Sequence, residues 1–383
     1  MTETAPTGAA TQSTAPPRVM PTPRTLDLEI TARCNLRCSY CYYFDNEAVV
    51  YRDMGTDEWL RLLDELGEAA VLGVTLQGGE PFMRRDLQVL IQRIVDNRMR
   101  FAILTNGTLI REDDAAFLAA TGRCDAVQVS LDGHCAAVHD ATRGKGSFDK
   151  AVRGLGLLRK HGVPVGSRVT VNRHNVRHLD AVMAFLLEDL GLPNVGTNAA
   201  CFFGSCRTHA GDVMLSTQDR VLAMEALVRL ADRYPGRIMA SAGPLAEARR
   251  FARMEQARKD GAPPFSNGGH LTGCGCIFSQ MAVRSDGVFV PCVMLAHLEL
   301  GRAGRDRLGD VWVNSPALQS LRSRSRLLLA DFDYCRGCPW MPYCTGNCPG
   351  HSYTLTGEVD HPSPAACLRA FLADGGRIVE EAQ

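Results

Sequence analysis

Residues 26–41 read Leu26-Asp-Leu-Glu-Ile30-Thr-Ala-Arg-Cys34-Asn-Leu-Arg-Cys38-Ser-Tyr-Cys41. The first five residues alternate apolar and polar, the period of a β-strand. A loop with three cysteines, spaced Cys-x3-Cys-x2-Cys, follows at once. Downstream, Trp59, Leu60, Leu62, Leu63, Leu66 and Val71 fall at helical spacing over 57–72. Strand patterns then recur at 73–76, 101–104, 126–131, 163–171 and 195–200. Helical patterns lie between them at 86–97, 112–120, 148–160 and 176–190. Strands alternating with helices build parallel β/α units. Six units are too few for a closed eight-unit barrel. The spacing therefore predicts an α/β fold, a partial (β/α)6 TIM-like barrel, with the cysteine loop at the carboxyl end of its first strand.

The rest of the composition limits what such a barrel does. The chain has 383 residues, with 42 Lys+Arg against 42 Asp+Glu. A net charge of zero lacks the basic footprint of a nucleic-acid binder. Hydrophobic residues make up 45%, enough for a large core, and the length suits two or three domains at ~150 residues each. No run of 18 apolar residues occurs, so no membrane span is expected. Fifteen cysteines, an odd number, make a poor disulfide framework. Residues 1–24 hold five prolines and six threonines without an apolar segment, so they read as a disordered tail and not a secretory signal. A cytoplasmic location follows, where clustered cysteines more often bind metal. The expected domain map is a tail at 1–24, the barrel at 25–218, a charged helical connector and linker at 219–269, a small cysteine-rich domain at 270–372, and a tail at 373–383. Arg249, Arg250, Arg253, Arg258 and Lys259 in the connector read as a solvated helix face.

Three thiolates within eight residues suit three corners of a cubane iron–sulfur cluster. A missing fourth thiolate leaves one iron open, as catalytic metal sites do. A zinc knuckle is the plain alternative, but zinc prefers paired Cys-x2-Cys units and a fourth protein ligand.

Cys34-x3-Cys38-x2-Cys41, with Tyr40 before the third cysteine, resembles the signature of the radical S-adenosylmethionine (SAM) enzymes. That resemblance implies a cluster whose open iron binds SAM, reductive cleavage of SAM, and a 5′-deoxyadenosyl radical that takes a hydrogen atom from substrate. Gln77-Gly78-Gly79-Glu80-Pro81 looks like the family's GGE motif, with Glu80 expected to accept hydrogen bonds from the SAM ammonium. Leu104-Thr105-Asn106-Gly107 and Ser130-Leu-Asp132-Gly133 end the third and fourth strands, as is often seen in the family. By resemblance Asn106, Ser130 and Arg143 belong to the SAM site, Arg143 pairing the SAM carboxylate, with Asp132 at the ribose or behind the site.

The carboxy-terminal spacing is Cys276-x10-Gly287-x4-Cys292, then Cys335-x2-Cys338-x5-Cys344-x3-Cys348, then x18 to Cys367. It is similar, gap for gap, to the SPASM extension of radical SAM enzymes. The resemblance implies two auxiliary [4Fe–4S] clusters, three in all. Cys335, Cys338, Cys344 and Cys367 would hold the distal one; Cys276, Cys292 and Cys348 would hold the proximal one. Cys274 is the natural fourth proximal ligand, although Cys274-Gly-Cys276 is a tight pair. Two structural zinc sites are the alternative.

Cys201 and Cys206 flank Phe202-Phe-Gly-Ser205, just after the sixth strand. One is a candidate hydrogen-atom donor, or both are buried small residues. Cys124 and Cys135 read as core or incidental residues. His134, His139, His174, His178 and His351 lie near loops and are not distinguished. Trp340 and Tyr343 read as packing residues.

Three activities remain open. The first is maturation of a ribosomally made peptide by crosslinking or a similar oxidation. The second is dehydrogenation or epimerisation of a small molecule such as an aminocyclitol or sugar. The third is formylglycine formation in a sulfatase. Each needs an external one-electron donor of flavodoxin or ferredoxin type. No leader-binding domain is expected before Thr25, so the first activity would use a separate leader-binding protein or another surface.

Overall fold

The computed structural model describes residues 19–46, 52–272 and 274–380. Seven parallel strands carry the barrel: β1 (Thr25–Thr31), β2 (Gly73–Gly78), β3 (Arg100–Thr105), β4 (Cys124–Ser130), β5 (Val165–Val171), β6 (Val195–Ala199) and β7 (Ile238–Met239). Helices α1 (Thr56–Glu68), α2 (Leu87–Asp96), α3 (Glu112–Ala120), α4 (Ala136–Arg143), α5 (Ser147–Lys160) and α6 (Leu179–Ala184) connect the first six. The alternation seen in the first strand sets its faces. Leu26, Leu28 and Ile30 are buried in one core with Trp59, Leu63 and Leu66 of α1 and Leu90, Ile91 and Ile94 of α2. Each such side chain contributes about 1.5–3 kcal/mol when fully buried. Asp27 and Glu29 take the opposite face, where Asp27 hydrogen-bonds Thr75 and Gln280 and Glu29 bonds Tyr42.

The sheet is larger than six strands. Three strands from the cysteine-rich region, β8 (Gln280–Val283), β9 (Val288–Val290) and β10 (Gly301–Arg302), extend it past β1. β8 runs parallel to β1, with Thr25 opposite Gln280 and Leu28 opposite Val283. The β8–β9 and β9–β10 pairs are antiparallel. The order β10-β9-β8-β1-β2-β3-β4-β5-β6-β7 is therefore an open sheet. Ile277, Met281, Phe289 and Trp312 share one core with the barrel. The cysteine-rich region thus joins the barrel's sheet and shares its core.

Other departures are local. The pattern over 176–190 breaks into a 3-10 turn (Val176–His178), α6 and a π-helical stretch (Phe185–Asp189). α4 carries no extended apolar stripe, which is why periodicity passed over it. The region 219–260 holds two helices, Thr217–Arg233 and Pro244–Lys259, separated by β7. Most of the 1–24 tail lies outside the described residues. Its last part is anchored: Trp312 Nε1 donates to Met20 O at 2.9 Å, and Thr22 Oγ1 to Ala69 O at 3.0 Å. Within 373–380, Ile378 and Val379 pack on the core and Arg377 pairs with Glu225. Apolar and charged residues at both ends find partners that a composition reading does not see. No helix among the described residues is long and apolar enough to cross a membrane.

Candidate active site and cysteine centres

The loop after β1 is locked against the ends of neighbouring strands. Gly79 N donates to Thr31 O and Glu80 N to Arg33 O, each at 2.8 Å. A Cβ on Gly79 would lie 2.1 Å from Arg33 O, so only glycine lets the two backbones close. Asn35 Nδ2 donates to Thr108 Oγ1 at 2.9 Å and Ser39 N to Thr142 O at 2.9 Å. Ser205 N donates to Cys41 O at 2.9 Å, beside Gly204, whose φ of 49° and close carbonyl neighbours exclude a side chain.

This scaffold turns Cys34, Cys38 and Cys41 onto one cavity of ≈ 410 Å³. Among the described residues, no three His, Cys, Asp or Glu side chains converge on a point suited to a single metal ion. The thiols instead share the wall of a cavity, an arrangement suited to a multi-atom cluster. Donors surround them: Leu36 N reaches Cys34 Sγ at 3.4 Å, Asn106 Nδ2 reaches it at 3.8 Å, and the Tyr43 and Phe44 amides bond Cys41. Burial pushes all three thiols up, Cys38 to about 12 against the opposing pull of Arg143. Such thiols ionise when a metal takes the proton's place. The residues present thus fit an iron–sulfur cluster.

Gly78, Gly79, Asn106, Ser130 and Arg143 line the same cavity. Glu80 stands elsewhere. Its carboxylate is 1% exposed and accepts from Phe82 N (3.1 Å), Thr105 Oγ1 (2.7 Å) and Asn106 N (2.7 Å). It braces the ends of β2 and β3, and the glycines face the cavity in its place. Asp132, fully buried, accepts from Arg143 Nε (2.5 Å), Thr170 N (2.8 Å) and the Tyr40 hydroxyl. It is a hub behind the wall. Its own amide donates to His139 Nδ1 at 3.1 Å, and burial holds that imidazole down at about 4, hence neutral.

Sequence reading missed several wall residues. Gln128, Arg168, Thr170 and Asn198 line the cavity beside Ser130. The signal was present: Gln128 and Ser130, then Arg168 and Thr170, stand two apart on β4 and β5, the spacing that puts polar groups on one face. Tyr40, Tyr42, Val293 and Met294 also line it, the last two directly after Cys292. None of the five singled-out histidines does.

Cys201 and Cys206 separate. Cys206 is fully buried with Ala200 and Val213. Cys201 lines the cavity, donates to Ala199 O at 3.1 Å and lies close enough to Cys348 to feel its charge; burial pushes it up to about 12.

In the carboxy-terminal region, Cys335, Cys338, Cys344 and Cys367 line one small cavity of ≈ 30 Å³. The buried Tyr334 hydroxyl has no oxygen or nitrogen partner and faces Cys367. Ser363 Oγ, in the same wall, is also unpartnered. Burial pushes Cys335 up to about 12, with Cys344 and Cys367 adding to it. Four half-buried thiols with spare donors around them suit a cluster. Cys348 lies near enough to both Cys292 and Cys274 to feel their charge. Cys276 opens a helical turn, Cys276–Ser279, and its side chain lies outside those described. Trp340 Nε1 donates to Glu255 and the Tyr343 hydroxyl to Ala262 O, both as packing contacts. Arg250 is not on a solvated face: its Nε is buried and unpartnered, near Cys344.

Comparison with known proteins accords with this geometry. The radical SAM superfamily model matches residues 28–186, and that of an iron–sulfur cluster-binding domain, SPASM, matches 274–339. The chain is 29% identical to Fe-coproporphyrin III synthase of Methanosarcina barkeri, over 88% of this chain and 86% of that protein. It is 25% identical to PqqA peptide cyclase of Granulibacter bethesdensis, over 94% and 90%. Its fold is similar to that of Streptococcus suis SuiB in complex with the precursor peptide SuiA, with a TM-score of 0.68, 17% identity, and coverage of 91% and 77%. With both models matched in sequence, the chain carries a radical SAM domain followed by a C-terminal SPASM iron–sulfur domain and is similar to peptide maturases of that family.

Proposed function

We propose that this radical SAM/SPASM enzyme oxidises a ribosomally made peptide, forming a crosslink or a similar two-electron product. The observation that carries the reading is the ≈ 410 Å³ cavity. It brings the three-cysteine loop, the Gly78–Gly79 backbone, Ser130 and Arg143 together with Cys201 and with Met294, next to Cys292. The likeness to PqqA peptide cyclase across nearly the whole chain supports a peptide.

In this reading Cys34, Cys38 and Cys41 hold the SAM-binding cluster. Cys335, Cys338, Cys344 and Cys367 hold a distal auxiliary cluster, and Cys292, Cys348, Cys274 and Cys276 a proximal one. When bound, SAM and its cluster supply a carbon radical that takes a hydrogen atom from substrate. The protein's own groups do the rest. Arg143, fixed by Asp132, orients the SAM carboxylate. Asn106 and the amides of Leu36, Tyr43 and Phe44 offset charge at the sulfurs. Tyr40, Leu36 and Leu104 exclude water from the radical. An open groove lined by Arg33, Cys34, Arg37, Cys38 and His209 gives an acidic electron donor access to the first cluster.

A second reading is oxidation of a small molecule, favoured by the likeness to Fe-coproporphyrin III synthase. Anaerobic co-expression with short peptide genes neighbouring this one, followed by intact-mass spectrometry, separates the two. A peptide lighter by two hydrogens, dependent on Cys34, supports the maturase. Unchanged peptides favour the small molecule.

A further inference from the structure

Among the described residues, Arg168 is a cation without an anion. It stands on β5, opposite Ser130 of β4 and Gly196 of β6. Its Nε donates to Gln128 Oε1 at 2.9 Å, and among the described residues its guanidinium makes no other hydrogen bond and no ion pair. Burial alone lowers its affinity for the proton, with no carboxylate near enough to oppose the effect. It lines the ≈ 410 Å³ cavity and also a ≈ 570 Å³ cavity bounded by the amino-terminal parts of β4, β5 and β6 and by Met239 to Ser241 at the end of β7. The one carboxylate in the wall of that lower cavity, Asp125, is paired to Arg100. The other arginine of the upper cavity, Arg143, is neutralised by Asp132. Around Arg168 the wall is polar but uncharged: Gln128, Ser130, Thr170 and Asn198. Asn198 Oδ1 is buried without a partner. An unpaired guanidinium in a cavity is costly unless a ligand completes it, and its planar fork matches a carboxylate.

We propose that Arg168 and Asn198 form a recognition site for an acidic residue of the substrate, Arg168 pairing its carboxylate and Asn198 accepting from its amide N–H. This deepens the peptide reading above and rests on it. Arg143 lies beside Cys38 at the cysteine loop and is placed to serve the SAM carboxylate. Arg168 lies one strand further on, three residues before the end of β5, and serves a different anion.

The test uses the anaerobically reconstituted, SAM-loaded enzyme and two isosteric probes without a free α-carboxylate, N-acetyl-L-glutamate α-methylamide and N-acetyl-L-glutamine α-methylamide, with binding read by calorimetry. The glutamate probe should bind at least ~10-fold tighter, the size of one charge-assisted pair. Arg168→Gln should erase that preference, and Arg168→Lys should keep part of it. Affinity for SAM and the iron content should not change in either variant. Equal binding of the two probes, no binding of the glutamate probe, or a preference that survives in Arg168→Gln each overturns the proposal. A ~10-fold loss of SAM affinity in Arg168→Gln also overturns it, because the anion is then the cofactor's own carboxylate. Wild-type protein that carries neither iron nor SAM would instead refute the radical SAM reading itself.

Discussion

Replacing Asp132 by Asn removes one charge at the point where the site's wall is held together. The Asp132 and Arg143 side chains are 0% and 8% exposed, with Arg143 Nε 2.5 Å from Asp132 Oδ2. Removing one partner of a buried pair strands the other charge, at a cost of about 3–5 kcal/mol. The amide keeps an acceptor for Thr170 N but sets an NH2, which accepts from neither, against Arg143 Nε and the Tyr40 hydroxyl. That total is a large fraction of the ~5–15 kcal/mol that holds most domains together. Anaerobic urea titration followed by far-ultraviolet circular dichroism gives the value, provided the slope is unchanged. The double variant Asp132→Asn with Arg143→Met removes the stranded charge and should be less unstable than the two single losses summed, with a coupling of about 1–3 kcal/mol. A loss below ~1 kcal/mol in Asp132→Asn, or strict additivity in the double variant, would refute the argument that a buried ion pair fixes Arg143.

Other outcomes follow from the same structure. Gly79→Ala forces its Cβ onto Arg33 O and should cost about 1–3 kcal/mol while lowering the iron bound at the first cysteine loop; full iron content would show that the loop tolerates the shift. His139 is held neutral, its folded pKa depressed to about 4. The unfolded chain therefore binds the extra proton first as pH falls, and ~3 kcal/mol of stability present above pH ~6.5 is lost by pH ~4. His139→Gln should flatten that slope, and an unchanged slope would assign it to other groups. Cys338→Ala should lower iron by about four atoms per chain and keep SAM cleavage while product is lost; full product would make the distal centre dispensable.

The barrel was legible because its strands are short, apolar and evenly spaced. The 73–76, 101–104 and 112–120 segments fall inside the observed β2, β3 and α3. Two kinds of feature were not legible. α4, which delivers Arg143 and His139, has little apolar periodicity because its buried face is partly polar: Val138, His139, Thr142 and Arg143. The joining of β8 to β1 depends on contacts between residues some 250 positions apart, which no local pattern encodes. At the site, the cysteines announce themselves by spacing. Glu80 does not reveal that it faces Thr105 and Asn106, because a strand-end carboxylate reads the same whether it meets a ligand or a neighbouring loop. Arg168 was hidden within a strand, visible only through its two-residue offset from Thr170.

The central claim is that Cys34, Cys38 and Cys41 hold a cluster that cleaves SAM. The most direct measurement is chromatographic quantification of 5′-deoxyadenosine after anaerobic reconstitution with iron and sulfide, addition of SAM and reduction by dithionite, comparing wild type with Cys34→Ala. The wild type should form 5′-deoxyadenosine and hold about twelve irons per chain, and the variant should form none. Stoichiometric zinc in place of iron, or equal 5′-deoxyadenosine from Cys34→Ala, would contradict it.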